Sequence, residues 1–268
     1  MKMKECLMVV FFLVFLLGFN SNLSIAASPD PEKVSAQEII TRSDQVRNPA
    51  KPFRMMSQLI EYDGGVARNE LTLIIFSKED KELGQYKTLV RYIEPLRDFG
   101  KLVLMNGSQM WFFDPSSKAS VRISPQQRLI GQASEGDVVT VNLATDYKAE
   151  LLGTETLDDA DRKPKICWHL DLAPARDDTI YSRVEYWVEQ GTFYPVKGKF
   201  YADSGRLLKI AYYHRYKEQL DTKRPGEVII IDAVNTRQVT TMNFSDYRYQ
   251  EIPEAWFQRE FLPHLKIE

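Results

Sequence analysis

Cys167, His169 and Asp171 occupy alternate positions of the run Lys165 to Leu172, in the order of a nucleophile, a base and an acid. On an extended strand such residues project from one face, which is what would bring three chemical groups together. Same-face neighbours on a strand stand about 7 Å apart, whereas a nucleophile needs its base at about 3 Å, normally supplied from another element. The trio therefore reads as a polar outer face, opposite an inner face of Ile166, Trp168, Leu170 and Leu172. No catalytic residue is expected.

The remaining chemical candidates are weaker. Asp158-Asp159 and Asp177-Asp178 lie in loop-like stretches and read as solvated turns or a weak ion site. His169, His214 and His264 each lack a second His at ligand spacing, so no metal is expected. The tyrosines of Ala211-Tyr-Tyr-His-Arg-Tyr216 would suit base stacking, but no basic groove surrounds them. The sequence contains no H-E-x-x-H, G-x-S-x-G, P-loop or G-x-G-x-x-G motif, and no cofactor is expected.

Composition narrows the class further. The 268 residues carry 35 Lys+Arg against 37 Asp+Glu, a balance that argues against nucleic acid as a partner. Two Cys are too few for a disulfide framework or a four-thiolate zinc site. With 44% hydrophobic and 27% charged residues the chain is built to form a core.

Lys2 and Lys4 precede the apolar run Leu7 to Leu17, and small residues follow at Ser24 and Ala26. A basic start, a short apolar run and a small-residue site describe a secretory signal peptide, here residues 1–27 with cleavage near Ala26 to Ser28. The run falls short of the roughly 20 residues of a spanning helix; an uncleaved anchor is the alternative. Cys6 lies before the apolar run, so it is not a lipidated Cys following it. The expected product is a soluble exported single domain, residues 28–268, with Cys167 as its one thiol and a monomeric state.

The elements that must position these residues are mostly strands. Val34 to Arg47 has near-helical spacing and is stopped by Asn48-Pro49. From Phe53 the period changes to two. Phe53 to Tyr62 and Val66 to Ser77 flank the turn Asp63-Gly64-Gly65 as a hairpin. Gln85 to Glu94, Lys101 to Met105, Gln109 to Asp114 and Ser120 to Ile123 follow. Tyr147 to Thr156, Lys165 to Leu172, Tyr181 to Glu189, Phe193 to Tyr201, Arg206 to Tyr216, Val228 to Val234 and Val239 to Tyr249 make up the second half. Pro253 opens an expected C-terminal helix with Trp256, Phe257, Phe261 and Leu262 on its apolar face.

Between the halves, Ser124 to Asp146 breaks the rhythm. It carries Gly131, Gly136 and the patches Leu129-Ile130 and Val138-Val139, with room for a short helix or two and Asp137 as a cap. Either it docks as a lid on the inner face of the sheet, or it is a long surface excursion. The whole reads as mainly β: an unclosed antiparallel barrel or strongly curved sheet of about eleven strands, covered by helical segments.

The run Pro95 to Pro115, ending Met110-Trp111-Phe112-Phe113-Asp114-Pro115, resembles the LolA-like outer-membrane lipoprotein-sorting proteins. Arg128-Leu-Ile-Gly-Gln-Ala-Ser-Glu-Gly-Asp137 leading into Asp146-Tyr147, and Trp187-Val-Glu-Gln-Gly-Thr-Phe-Tyr-Pro-Val196 followed by Phe200-Tyr-Ala-Asp-Ser-Gly205, look like a branch found beside inner-membrane transporters. The chain departs from the well-known members in length and in its middle segment. The resemblance implies a lidded hydrophobic cavity that carries acyl chains of lipoproteins or lipids. It also implies an inner-membrane transporter and an outer-membrane acceptor as partners. Trp111, Phe113, Leu129, Ile130, Val138, Val139, Trp168 and Tyr186 are the candidate lipid contacts. A regulatory sensor of the same fold is the alternative, and a hydrolase using Cys167 and His169 the third.

Overall fold

The computed structural model describes residues 34–265; the expected signal peptide lies outside the described residues. Helix α1 (Ala36–Arg47) starts where Ser35 accepts a hydrogen bond from the Glu38 N–H, and it stops at Asn48. Six strands then follow as a meander: β1 (Phe53–Asp63), β2 (Val66–Asp80), β3 (Gln85–Glu94), β4 (Leu102–Asn106), β5 (Gln109–Asp114) and β6 (Ala119–Ile123). Each is antiparallel to the next.

A crossing segment comes next, with the small hairpin β7 (Arg128–Ile130) and β8 (Ala133–Ser134), a 3-10 turn at Glu135–Asp137 and helix α2 (Leu143–Asp146). The second meander is β9 (Tyr147–Asp158), β10 (Pro164–Pro174), β11 (Arg183–Glu189), β12 (Pro195–Tyr201) and β13 (Leu207–His214). A side hairpin, β14 (Lys217–Gln219) and β15 (Thr222–Arg224), precedes β16 (Glu227–Asp232) and β17 (Gln238–Tyr249). Pairing of β17 with β1 joins the two meanders into one open sheet of 13 strands, with β6 at one edge and β9 at the other.

The sheet is a large, curved, unclosed antiparallel one, as expected, but it has 13 strands rather than about eleven. The short strands β4 and β6, of five residues each, fall where the expected segments Lys101 to Met105 and Ser120 to Ile123 lie, so the total of about eleven undercounts the segments themselves. Alternation decides which side each residue faces. Along β2, Leu71, Leu73 and Ile75 join the main core with Ile39 and Ile40 of α1, whereas Ile74 and Phe76 face the other side. There a second core forms beneath the C-terminal segment, from Leu89, Leu102, Leu104, Phe257 and Leu262. The expected C-terminal helix is two 3-10 turns, Glu254–Phe257 and Arg259–His264, the second containing Pro263. A proline removes a donor and clashes with the preceding turn, which keeps such a run from continuing as an α-helix.

Candidate functional site

The chain leaves the sheet at edge strand β6 and re-enters it at the opposite edge, β9. The residues between have to span the sheet, and they do so on the side of α1 and the main core. Val138, Val139 and Leu143 are buried there, while Leu129 and Ile130 pack at its margin. Polar bonds fix the segment along its length. The Gln132 N–H donates to Thr240 Oγ1 of β17 at 2.8 Å, and Thr140 Oγ1 lies 2.6 Å from Ser77 Oγ of β2. Asn48 Nδ2 donates to the Val141 carbonyl at 2.9 Å, and the Ala144 N–H to Asp44 Oδ2 of α1 at 2.7 Å.

The two glycines of this segment have different reasons. Gly131 turns β7 into β8 at φ +52°, and a Cβ there would sit 2.3 Å from Thr240 Oγ1, so both conformation and contact demand it. Gly136 has no positive φ; it is needed for space, since a Cβ would come within 2.9 Å of the Pro125 carbonyl oxygen. Asp137 does not cap α2, as the sequence suggests. Asn142 does so, accepting from the Thr145 N–H, and Asp137 instead completes a capping box with Ser134.

Under the segment lies a cavity of about 140 Å³. Its walls are mainly apolar: Met55 and Ile75 from the first meander, Phe200 and Ala211 from the second, and Val138 and Val139 from the segment. An engineered cavity of about 150 Å³ holds one benzene, so this space suits a ring-sized group. A chain of a dozen methylenes would fit only if the crossing segment moved.

Four polar contacts hold the segment over the cavity. Lys209 of β13 donates to Asp137 Oδ2, and Tyr181 donates to Asp137 Oδ1 at 2.8 Å. Arg47 of α1 pairs with Asp44 and also donates to the Val141 carbonyl at 3.2 Å. Tyr92 of β3 donates to Glu135 Oε1 at 3.1 Å. Burial pushes the Glu135 carboxyl up to about 7, against the lowering effect of that hydrogen bond. Burial likewise holds the Tyr181 hydroxyl far above its ordinary range.

The residues singled out from the sequence separate into three groups. Val138 and Val139 line the cavity. Leu129 and Ile130 are on the same side of the sheet at the margin of its core, and Trp168 and Tyr186 are within that core; Trp168 packs on Phe193 at 5.1 Å and Tyr186 edge-on to Tyr213 at 5.7 Å. Trp111 and Phe113 are on the opposite face, against the C-terminal turns, with Arg259 4.3 Å above the Trp111 ring. They therefore do not line the cavity; on β5 the positions facing the main core are Met110 and Phe112. Sequence reasoning missed Tyr181, Phe200 and Lys209. Lys209 shares the parity of Ala211 and Tyr213 on β13, the one signal that a charged residue points inward.

The Cys167, His169 and Asp171 face is less polar than expected. Cys167 is fully buried with Trp187 and Val196, and burial pushes its thiol up to about 12, which keeps it protonated and a poor nucleophile. His169 stacks on Trp187 at 4.2 Å, and Asp171 pairs with Arg183. Ile166, assigned to the inner face, is 57% exposed because it lies near the β9–β10 turn, past the core. These residues face away from the cavity, so Cys167→Ala and His169→Ala should leave the affinity for a fluorescent acyl probe within about twofold of the parent. Loss of binding by either variant at unchanged melting temperature would show that this face takes part.

The architecture is that of a protein whose open antiparallel sheet encloses an apolar cavity beneath a segment running from one edge to the other. A family model described as an uncharacterized protein matches residues 84–264. A LolA superfamily protein from Nitrosomonas europaea is 30% identical, with 85% of this chain and 99% of that chain covered and a TM-score of 0.75. A DUF1329 family protein from Desulfovibrio piger is 21% identical over 85% of this chain and 97% of that chain, with a TM-score of 0.71. A Vibrio parahaemolyticus domain described as an outer membrane lipoprotein-sorting protein is 19% identical over 85% and 98%, with a TM-score of 0.68. No curated protein matches the chain. The chain belongs to the LolA superfamily.

Proposed function

We propose that this chain is a non-enzymatic periplasmic carrier. In this reading a signal peptide of residues 1–27 is removed and a single domain from residue 28 takes up acyl chains of lipids or lipoproteins. It passes them from an inner-membrane transporter toward an outer-membrane acceptor. The observation that supports it is the apolar cavity roofed by a segment whose own core contact rests on a few aliphatic side chains. Among the described residues no helix is long and apolar enough to cross a membrane.

The energetics allow such a role without a covalent step. A chain of a dozen methylenes at about 0.8 kcal/mol each supplies on the order of 10 kcal/mol before ordering costs. Undocking Val138, Val139 and Leu143 at roughly 1.5 kcal/mol each would consume about half of that. The remainder is enough for capture and small enough for release.

Native mass spectrometry of protein from the periplasmic fraction tests the reading. The expected spectrum shows an adduct of lipid mass that organic extraction removes. A bare mass in every preparation, together with no uptake from phosphatidylethanolamine–phosphatidylglycerol vesicles, would overturn it.

A further inference from the structure

Lys209 is a cation in an unusual place. Its side chain is only 7% exposed, its ammonium group lies 5.0 Å from the Tyr181 ring centre and 6.0 Å from that of Phe200, and Ser134 Oγ is 3.4 Å away. Its one carboxylate partner among the described residues is Asp137, which belongs to the crossing segment rather than to the sheet. Lifting the segment therefore takes the counter-charge with it. A buried lysine left alone is strongly disfavoured, so an open state needs a replacement anion.

A second feature shows where that anion would enter. Beside the apolar cavity lies a cleft of about 290 Å³, and Tyr181 and Lys209 line both spaces. Arg128 and Arg206 add positive charge to the cleft against one carboxylate, Asp232, which is engaged by the Val234 and Asn235 N–H groups. One side of the Lys209 wall is thus apolar and the other basic, an arrangement matched to an amphiphile.

We infer that the ligand is an acyl chain with an anionic head, carboxylate or phosphate, and that this head replaces Asp137 at Lys209 when the crossing segment lifts. The inference rests on the carrier reading and adds the head-group chemistry to it. Asp137 then acts as a built-in competitor, closing the empty protein with the contact that ligand makes in the loaded one.

Calorimetric titration with dodecanoate, dodecyl phosphate, dodecyl maltoside and dodecyltrimethylammonium, each below its micelle concentration, separates chain from head. The two anions are expected to bind at least tenfold more tightly than the maltoside or the cation. Lys209→Met should bring the anions to the level of the maltoside, on top of any change common to all four probes that loss of the Asp137 contact brings. The pair Lys209→Met with Asp137→Asn, which leaves no buried charge alone, should give the same loss of preference. Asp137→Asn by itself should widen the anion preference. Dodecyl phosphate above dodecanoate would assign a phospholipid-type head, and the reverse a fatty-acid type. Equal binding of all four by the parent, or an anion preference surviving in both Lys209 variants, overturns the head-group assignment alone. If no dodecyl probe binds, the carrier reading fails with it.

Discussion

Replacing Val138 and Val139 together by Asp should remove the hydrogen-exchange protection of residues 124–146 while the 13-stranded sheet keeps its own. Both valines are buried, at 2% and 7% exposure, and both line the cavity. Their docking contributes about 3 kcal/mol at ~1.5 each, and two carboxylates in that apolar space add a desolvation cost. A change of about 3 kcal/mol corresponds to a roughly hundredfold fall in protection. The sheet has its own ladder and a second core on the other face, so its protection is set elsewhere. Saturating dodecanoate should produce a smaller change of the same kind in the parent, confined to the same residues. Unaltered exchange in the double variant would mean that the segment does not depend on its aliphatic contacts, and the lid role would have to be abandoned.

Glu135→Gln should stabilise the protein at pH 8 by about 3 kcal/mol and have little effect at pH 4.5. Burial raises the Glu135 carboxyl from 4.5 to about 7, so the folded protein holds its proton over a range in which the unfolded chain has lost it. The stability linked to that proton is fully present below about 4.5 and is lost as pH rises through about 7. Glutamine mimics the protonated form, keeps an acceptor for the Tyr92 hydroxyl and cannot ionise. For a chain of this size the difference amounts to roughly 6–12 °C in melting temperature at pH 8. Melting curves of parent and variant from pH 4.5 to 8 should diverge steadily. Parallel curves would show that Glu135 titrates in the ordinary carboxylate range.

Glu135 also bears on the closed state, because it lies next to the contact between Asp137 and Lys209. A carboxylate ionising there adds a buried negative charge in the middle of the segment that must stay seated. The exchange experiment repeated at pH 8 should therefore show faster opening of residues 124–146 in the parent than in Glu135→Gln.

Much of the architecture is legible in the chain because strand signals are local. A period of two, broken by turns such as Asp63-Gly64-Gly65, places most of the sheet strands within a few residues. The loss of that period marks Ser124 to Asp146 as something other than a strand, and the near-helical spacing up to Asn48-Pro49 marks α1. Alternation also sorts each strand into two faces. It does not say which face is concave, since both sides of β2 to β5 carry large apolar residues and both are covered, one by α1 and the crossing segment, the other by the C-terminal turns. That is why Trp111 and Phe113, the bulkiest choices on β5, belong to the wrong side for a cavity.

Long-range pairing settled the rest. The junction of β17 with β1 puts β6 and β9 at opposite edges, and only that arrangement obliges the segment between them to cross the sheet. The same junction brings Asp137 to Lys209, 72 residues further along the chain. Sequence alone reads a lone lysine in a strand as solvated, because burying a charge is unfavourable unless a partner arrives from elsewhere. The partner's arrival is a property of the folded topology, which no local pattern of residue types contains.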